Sequence, residues 1–191
     1  AEIASNIGKK YKVNTAYSNA NLLDSTAITQ LIEETRRQLG SIDVLINNAG
    51  IQYVSPIEDF PNEMYEKIIA INMNAVFYAC KAAWKHMKKQ KFGRIINISS
   101  VHGIRASEFK SAYVTAKHGV VGMTKVMALE GAPYNITCNA ICPGYVKTPL
   151  VENQIKDQAK AHQLSEDEVI EKIMLKKQAV KKLFFTAEIL S

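Results

Sequence analysis

No apolar run in the 191 residues approaches the ~18 needed to span a bilayer, and no charged-then-apolar leader opens the chain. The expectation is therefore a cytoplasmic protein without a membrane partner. Cysteine is scarce: Cys80, Cys138 and Cys142 are odd in number and follow no metal-ligand spacing. No metal site is expected, and all three read as reduced thiols serving as small buried hydrophobes, Cys80 on a helix and the others on a strand. Internal repeats, low-complexity tracts and linkers are also missing, so residues 1–191 read as a single domain. The net charge of +6 lacks the aromatic-interleaved basic stripe of a nucleic-acid binder. Its lysines fall in short groups (88, 89 and 91; 176, 177, 181 and 182) that suit solvated helix faces.

What the chain does contain is alternation of apolar strands with amphipathic helices. Residues 2–10 read as a helix, with Gly8 near its stop, and residues 11–17 as a short strand. Asp24 or Ser25 should cap a helix whose apolar face is Ala27, Ile28, Leu31, Ile32 and Leu39, ended by Gly40. Residues 42–47 (IDVLIN) are too uniformly apolar for a half-exposed strand, which predicts a central parallel one. Pro61 opens a helical pattern reaching about residue 89, long enough, with Asn72 and Asn74 inside it, to be two helices or one kinked helix. Strand 94–99, helix 111–130 and strand 136–141 follow, and the remainder reads as helical, with a capping box at residues 165–168. Strands alternating with helices imply an α/β protein built on a parallel sheet.

In such a sheet, ligands bind at the carboxyl ends of the strands. Those ends carry Asn21, then Asn48-Ala49-Gly50, then Ser100, then Pro143-Gly144. The apolar run Ile95-Ile96-Asn97-Ile98 delivers Ser99 and Ser100 there. Thirteen residues beyond Ser100 a helical pattern carries Tyr113 and, four residues on and so on the same face, Lys117. A cation beside a phenol favours the phenolate and lowers its pKa, which suits general acid–base work.

These features together resemble the short-chain dehydrogenase/reductase family: NNAG at residues 47–50, Ser100, Tyr113-x-x-x-Lys117 and Pro143-Gly144 occur in the family's order. Within it, the chain is similar to the bacterial D-3-hydroxybutyrate dehydrogenases through IEDFP (57–61), HMKKQ (86–90), FGRIINI (92–98), KSAY (110–113), AKHGVVG (116–122) and ICPGYVKTPLVE (141–152). The resemblance implies a Rossmann-like, doubly wound parallel sheet and a reversible hydride transfer between NAD and the secondary alcohol of a small hydroxy acid. Tyr113 would exchange the hydroxyl proton, Lys117 would lower the Tyr113 pKa and hold the nicotinamide ribose, and Ser100 would bind the substrate oxygen. Asn72 would hold a water relaying protons by way of the lysine. Gln52, His102, Lys110 and Gln154 would hold the substrate carboxylate, with Tyr145 as an aromatic wall where the family usually has Trp. Asn21, Asn48, Ala49, Gly50, Pro143, Gly144, Val146 and Thr148 would complete the cofactor contacts. The helices at residues 61–89 and 111–130 resemble those through which members pair, so a homo-oligomer (dimer or tetramer) is implied.

The resemblance also marks what the chain does not contain. It has no GxxxGxG turn and no residue after a second strand to choose NAD over NADP. The expectation is a family fold lacking its first βαβ unit, whose strands would lie between residues 11–17 and 42–47, and its last strand. Two alternatives stay open at this point: a truncated, inactive remnant, and a reductase for another small hydroxy acid.

Overall fold

The computed structural model describes residues 1–176 and 178–184. Its sheet has three parallel strands in the order β1 (Val44–Asn47), β2 (Gly93–Ile98) and β3 (Ile136–Ile141). Helices α1 (Glu2–Tyr11) and α2 (Ser25–Leu39) precede β1, and α3 (Asn62–Ile69) and α4 (Ala75–Gln90) lie between β1 and β2. Helix α5 (Ser111–Gly131) joins β2 to β3, and α6 (Pro149–His162) and the single turn α7 (Glu166–Glu168) follow. This is the α/β, Rossmann-like arrangement that the alternation implied. Among the described residues no helix is long and apolar enough to cross a membrane.

Local chemistry sets the element ends. The Asp24 carboxylate accepts from the Thr26 and Ala27 amides at 2.8 and 3.3 Å, and Gly40, at φ 94°, closes α2. Helices α3 and α4 run into each other through a π-helical turn, Ala70–Asn74, which is the predicted kink. Along α5 a single buried stripe holds Tyr113, Ala116, Lys117, Val120, Thr124 and Met127. The stripe that faces the site at one end of the helix therefore packs the core at the other.

The core lies between the sheet and helices α2, α4 and α5, with Ile95 of β2 at its centre among Ile32, Cys80, Ala83, Met87, Val120 and Ile136. Burial in β2 alternates, so Ile95 and Asn97 share the covered face. Asn97 is fully buried and ties three elements together. Its Oδ1 accepts from Asn47 Nδ2 at 2.8 Å, and its own Nδ2 donates to Thr124 Oγ1 of α5 at 2.9 Å. A second cluster (Val151, Ile155, Val169 and Met174) holds α6 and the π-helical turn Val169–Met174 together.

The structure corrects several expectations. Strand β1 is an edge rather than a central strand, with Val44 and Ile46 53% and 58% exposed, because among the described residues no strand pairs on its outer side. Residues 11–17 form no strand for the same reason. There α1 continues through Gly8 to Tyr11, and Lys12 closes it in the left-handed conformation (φ 54°). Among the described residues, helical structure after α6 ends at Met174. Beyond it, side chains take the carbonyls a helix would use: Lys181 Nζ bonds those of Leu175 and Lys176, and Gln178 Nε2 those of Val180 and Lys182. Cys142 lies just past β3 and is only half-buried. Lys177 and residues 185–191, which the sequence reading included in the helical end, lie outside the described residues.

Replacing Asn97 with Ala removes the bonds that tie Asn47 and Thr124 to β2, leaving the Asn47 amide only its contact with Cys80 Sγ and the Thr124 hydroxyl its bond to Val120 O. The expected loss is about 1–3 kcal/mol of stability, read as a lower urea midpoint with an unchanged slope.

Candidate functional site

The carboxyl end of β2 is stitched to its surroundings before any ligand is considered. Ser99 N donates to Ile141 O at 2.8 Å and Val101 N to Pro143 O at 2.8 Å, joining the ends of β2 and β3. Ser100 caps a 3₁₀ turn, Val101–Gly103, its Oγ accepting from His102 N at 3.1 Å. Helix α5 is fastened twice to the same point: Ser99 Oγ donates to Lys117 O at 3.1 Å, and Lys117 Nζ to Ile98 O at 2.7 Å. Gly103 permits this approach, since a Cβ there would lie 2.5 Å from Ser99 Oγ and 2.8 Å from Lys117 O.

Tyr113 and Lys117 meet on α5 as their spacing predicts. The ammonium sits 5.6 Å from the centre of the phenol ring, and Ser100 stands close enough to oppose the effect of burial on the phenol. The electrostatics differ from expectation. Burial pushes the Tyr113 phenol up, and the opposing effect of Ser100 does not cancel it. Lys117 donates a hydrogen bond to the Ile98 carbonyl instead, and its own pKa is pulled down to about 8 by burial, with Cys142 nearby acting in the opposite sense. In the unliganded chain, then, the phenol is held as an acid.

Asn72, fully buried in the π turn, clamps Ile51 at both ends: Oδ1 accepts from Ile51 N at 2.9 Å and Nδ2 donates to Ile51 O at 2.8 Å. That clamp places Gly50, where a Cβ would stand 3.5 Å from Asn72 Oδ1 and 3.9 Å from Lys117 Nζ.

A second cluster adjoins the first. Lys110, 1% exposed, donates to Gln154 Oε1 of α6 at 3.0 Å and to the Tyr145 hydroxyl at 3.4 Å. Among the described residues no carboxylate pairs with it, and burial pulls its pKa down to about 8. His102 places its ring edge-on to both Tyr113 and Tyr145, with centroids 6.0 Å apart in each case. Burial above all, then Lys110 and His118, brings His102 down to about 4, so its ring is neutral at physiological pH. Gln52 buries both amide atoms of its side chain without a hydrogen-bond partner. A cavity of about 360 Å³ opens beside this cluster, lined by His102, Ser107, Gly144, Tyr145, Met174 and Gln178 among others.

The remaining candidates are more dispersed. Asn48, Ala49 and Gly50 lie exposed past the end of β1. Asn21 Oδ1 accepts from Leu23 N at 3.0 Å, so a local turn uses the side-chain oxygen of this expected cofactor contact. The Thr148 hydroxyl caps α6, accepting from Val151 N at 3.4 Å. Val146 forms a parallel bridge with Phe184.

The match to a family follows from this geometry. The family model described as short chain dehydrogenase matches residues 1–159. The chain belongs to the short chain dehydrogenase family. It is 50% identical over 169 residues to the D-beta-hydroxybutyrate dehydrogenase of Rhizobium meliloti (strain 1021), covering 88% of this chain and 65% of that protein. The protein of that name from Cupriavidus necator (strain ATCC 17699 and its equivalents) is 44% identical, over 87% of this chain and 64% of its own length. The chain thus spans about two thirds of the relatives it matches, slightly less in both cases. Among solved structures, a crystal structure of NAD+-bound xylitol dehydrogenase superimposes with a TM-score of 0.91 at 29% identity, covering 98% of this chain and 74% of that one.

Sequence reasoning missed three residues of this region. Gly103 and Ser107 lie in a loop whose contacts arise only from tertiary placement. Phe109 takes a left-handed conformation (φ 64°) just before Lys110, with its carbonyl accepting from Ser55 N at 3.0 Å; a non-glycine residue gives no signal of that.

Because the fold holds Lys110 below its ordinary value, the unfolded chain binds more protons between about pH 8 and 10.5, and stability rises with pH across that window. In Lys110→Met this contribution disappears. The variant's stability relative to the parent, from urea titrations, should fall by up to about 3 kcal/mol between pH 7 and pH 10.5.

Proposed function

We propose that this site interconverts D-3-hydroxybutyrate and acetoacetate, with NAD as the hydride carrier. The observation that carries the reading is Lys110, a buried cation with no carboxylate partner among the described residues, beside Gln154, Tyr145 and His102. A buried ammonium is unfavourable unless paired, and a small carboxylate ligand would supply the missing charge. The unpartnered Gln52 amide adds a donor and an acceptor. Both relatives described above carry the name D-beta-hydroxybutyrate dehydrogenase.

When bound, NAD supplies the hydride acceptor. Of the residues that would hold it, Lys117, Gly50 and Asn72 stand together, and Pro143 and Gly144 follow the end of β3, which suits the nicotinamide-ribose end of the cofactor. In the oxidative direction Tyr113 takes the alcohol proton while Ser100 hydrogen-bonds the developing oxyanion. In the reductive direction the protonated phenol, which burial favours, donates to the carbonyl oxygen. Oxidation should therefore rise towards alkaline pH and reduction fall, both following Tyr113. NADH absorbance in the two directions gives the opposed profiles, and Tyr113→Phe should lower both rates by about 10²–10⁴-fold.

A second tyrosine–lysine pair competes for the acid–base role. Tyr145 and Lys110 are the phenol and ammonium in direct contact, at 3.4 Å. Burial, however, pushes the Tyr145 phenol up to about 12, far from what a base needs. If Tyr145→Phe abolished turnover while Tyr113→Phe left it intact, the assignment would reverse. Substituting Lys110 with Ala should raise KM for the hydroxy acid about 10–100-fold, the worth of one charged hydrogen bond. A neutral secondary alcohol should be almost unaffected. Equal effects on both substrates, or no saturable binding of the acid by calorimetry, would overturn the carboxylate-binding role.

We further infer a cytoplasmic, homo-oligomeric protein. Its thiols are free, with Cys80 and Cys138 raised by burial to about 12 and about 11, and Phe77 of α4 and Val126 and Leu129 of α5 expose apolar surface on the helices implicated in pairing.

A further inference from the structure

Among the described residues, five other than glycine hold a left-handed backbone conformation. Four of them, Lys12, Lys91, Asn135 and Gln163, close helical segments, where that conformation is an ordinary way to stop. The fifth, Phe109 (φ 64°), closes no helix and stands two residues before α5 opens at Ser111. For a bulky side chain this conformation is sterically unfavourable, so the surrounding contacts must impose it.

Those contacts come from the elements that carry the anion cluster. The Phe109 carbonyl accepts at 3.0 Å from the backbone amide of Ser55, a buried residue in the segment between β1 and α3 that also carries Gln52. The Phe109 ring packs on the imidazole of His162, the last residue of α6, with centroids 4.8 Å apart and planes tilted by 49°. The next residue along the chain is Lys110, which caps α5 from outside the helical conformation (φ −124°), so the regular geometry of α5 does not fix its direction. Lys110 reaches Gln154, on the same helix α6 as His162. Two adjacent residues thus grip α6 at points about 12 Å apart along its axis, which sets the position of that helix against α5.

We infer that Phe109 is a positioning residue for the anion-binding cluster: held left-handed by Ser55 and His162, it sets Lys110 and Gln154 where both face one carboxylate. The inference rests on the reading of Lys110 as the group that binds the substrate carboxylate. Phe109 acts through Lys110 and α6 and takes no part in proton or hydride transfer. A strained turn serves this purpose better than a relaxed one. Lys110 has only neutral oxygens to hold its ammonium, and a turn fixed by contacts at both ends keeps the residue in place while the site is empty.

The first measurement needs no ligand: nuclear magnetic resonance of the full chain labelled with ¹⁵Nζ-lysine, between pH 6 and 11. The Lys110 and Lys117 signals are assigned by their loss in Lys110→Met and Lys117→Met. Around Lys110 stand His102 and Tyr145, brought by burial to about 4 and about 12 and so outside this window, and the non-titrating Gln154. Around Lys117 stand Tyr113, Cys142 and the Ile98 carbonyl. In the parent both lysines should titrate near pH 8. Phe109→Gly adopts the left-handed conformation freely but lacks the ring, and His162→Ala removes what the ring packs on. In both, the Lys110 midpoint should move toward the ordinary 10.5 as its burial loosens, while Lys117 stays in place. Phe109→Tyr, which keeps the ring, should leave both midpoints unchanged. Calorimetric titration with D-3-hydroxybutyrate should then show binding about 10-fold weaker in Phe109→Gly and His162→Ala, and restored in Phe109→Tyr. An unmoved Lys110 midpoint in both variants overturns the positioning role. So does a joint shift of Lys110 and Lys117, because general loosening of the fold would then account for both. Should Phe109→Gly fail to fold, His162→Ala, which leaves the turn itself unaltered, decides alone. If the parent binds no acid, the substrate reading fails, and the ligand-free titration still decides whether Phe109 places Lys110.

Discussion

Ser99 and Lys117 fasten helix α5 to the carboxyl end of β2 at two points, and almost everything else in the site depends on that seam. One bond runs from a strand side chain to the helix backbone; the other runs from a helix side chain to the strand backbone. Together they fix both the axial position and the rotation of α5, which a single contact would leave free. Rotation decides whether Tyr113 faces Ser100 or solvent, since one residue along a helix turns the side chain by about 100°. Gly103 is part of the same constraint, because a methyl group there would collide with both partners of the first bond. The seam also explains the fate of the Lys117 ammonium, which bonds a main-chain carbonyl in place of the phenol beside it.

Two lysines are buried in this small region, and neither has a carboxylate partner among the described residues. Such an arrangement opposes folding, since each ammonium loses hydration and recovers only hydrogen bonds to neutral oxygens. Proteins seldom keep such groups for stability, and functional sites are where they accumulate. The two cations differ in what they face. Lys117 is tied to the backbone beside Gly50 and Asn72, whereas Lys110 reaches side chains only, from α6 and from the segment after β3. The first is placed to act on a group approaching the end of β1. The second faces groups that can rearrange around an anion.

The sequence carried the alternation of strands and helices, the cap at Asp24 or Ser25, the capping box at residues 165–168, and the meeting of Tyr113 with Lys117, because each depends on spacing within one element. It also carried the cluster of Lys110, Gln154, Tyr145 and His102, though only through resemblance, since their separation along the chain contains no geometric information. Two of the overturned readings have instructive causes. The apolar run at β1 suggested a central strand, but apolarity reports the neighbours a strand is suited to, and those are not among the described residues. The expected lowering of the Tyr113 pKa assumed that proximity of charge outweighs desolvation. Here both partners are buried and the ammonium bonds elsewhere, so desolvation prevails. Ser107 could not have been found at all, as a serine in a polar loop is indistinguishable from its neighbours until tertiary structure places it between His102 and Tyr145.

Support for the site is uneven. Apart from Gln52, which follows β1, the candidate acid–base and anion-binding groups come from β2, α5, α6 and the segment after β3, joined to one another by strand pairing, the Ser99–Lys117 seam and the Lys110–Gln154 bond. This half needs nothing from the outer edge of the sheet. Asn48, Ala49 and Gly50 instead follow the edge strand β1, whose position relative to the rest is held by pairing with β2, by Asn47 on Asn97, and by the Asn72 clamp on Ile51. A chain with this distribution of contacts holds Ser100, Tyr113 and Lys110 firmly while holding residues 48–50 by only a few bonds. The two groups of residues thus rest on separable parts of one fold, and the Lys117 ammonium, bonded to β2 yet adjacent to Gly50, is where the two parts meet.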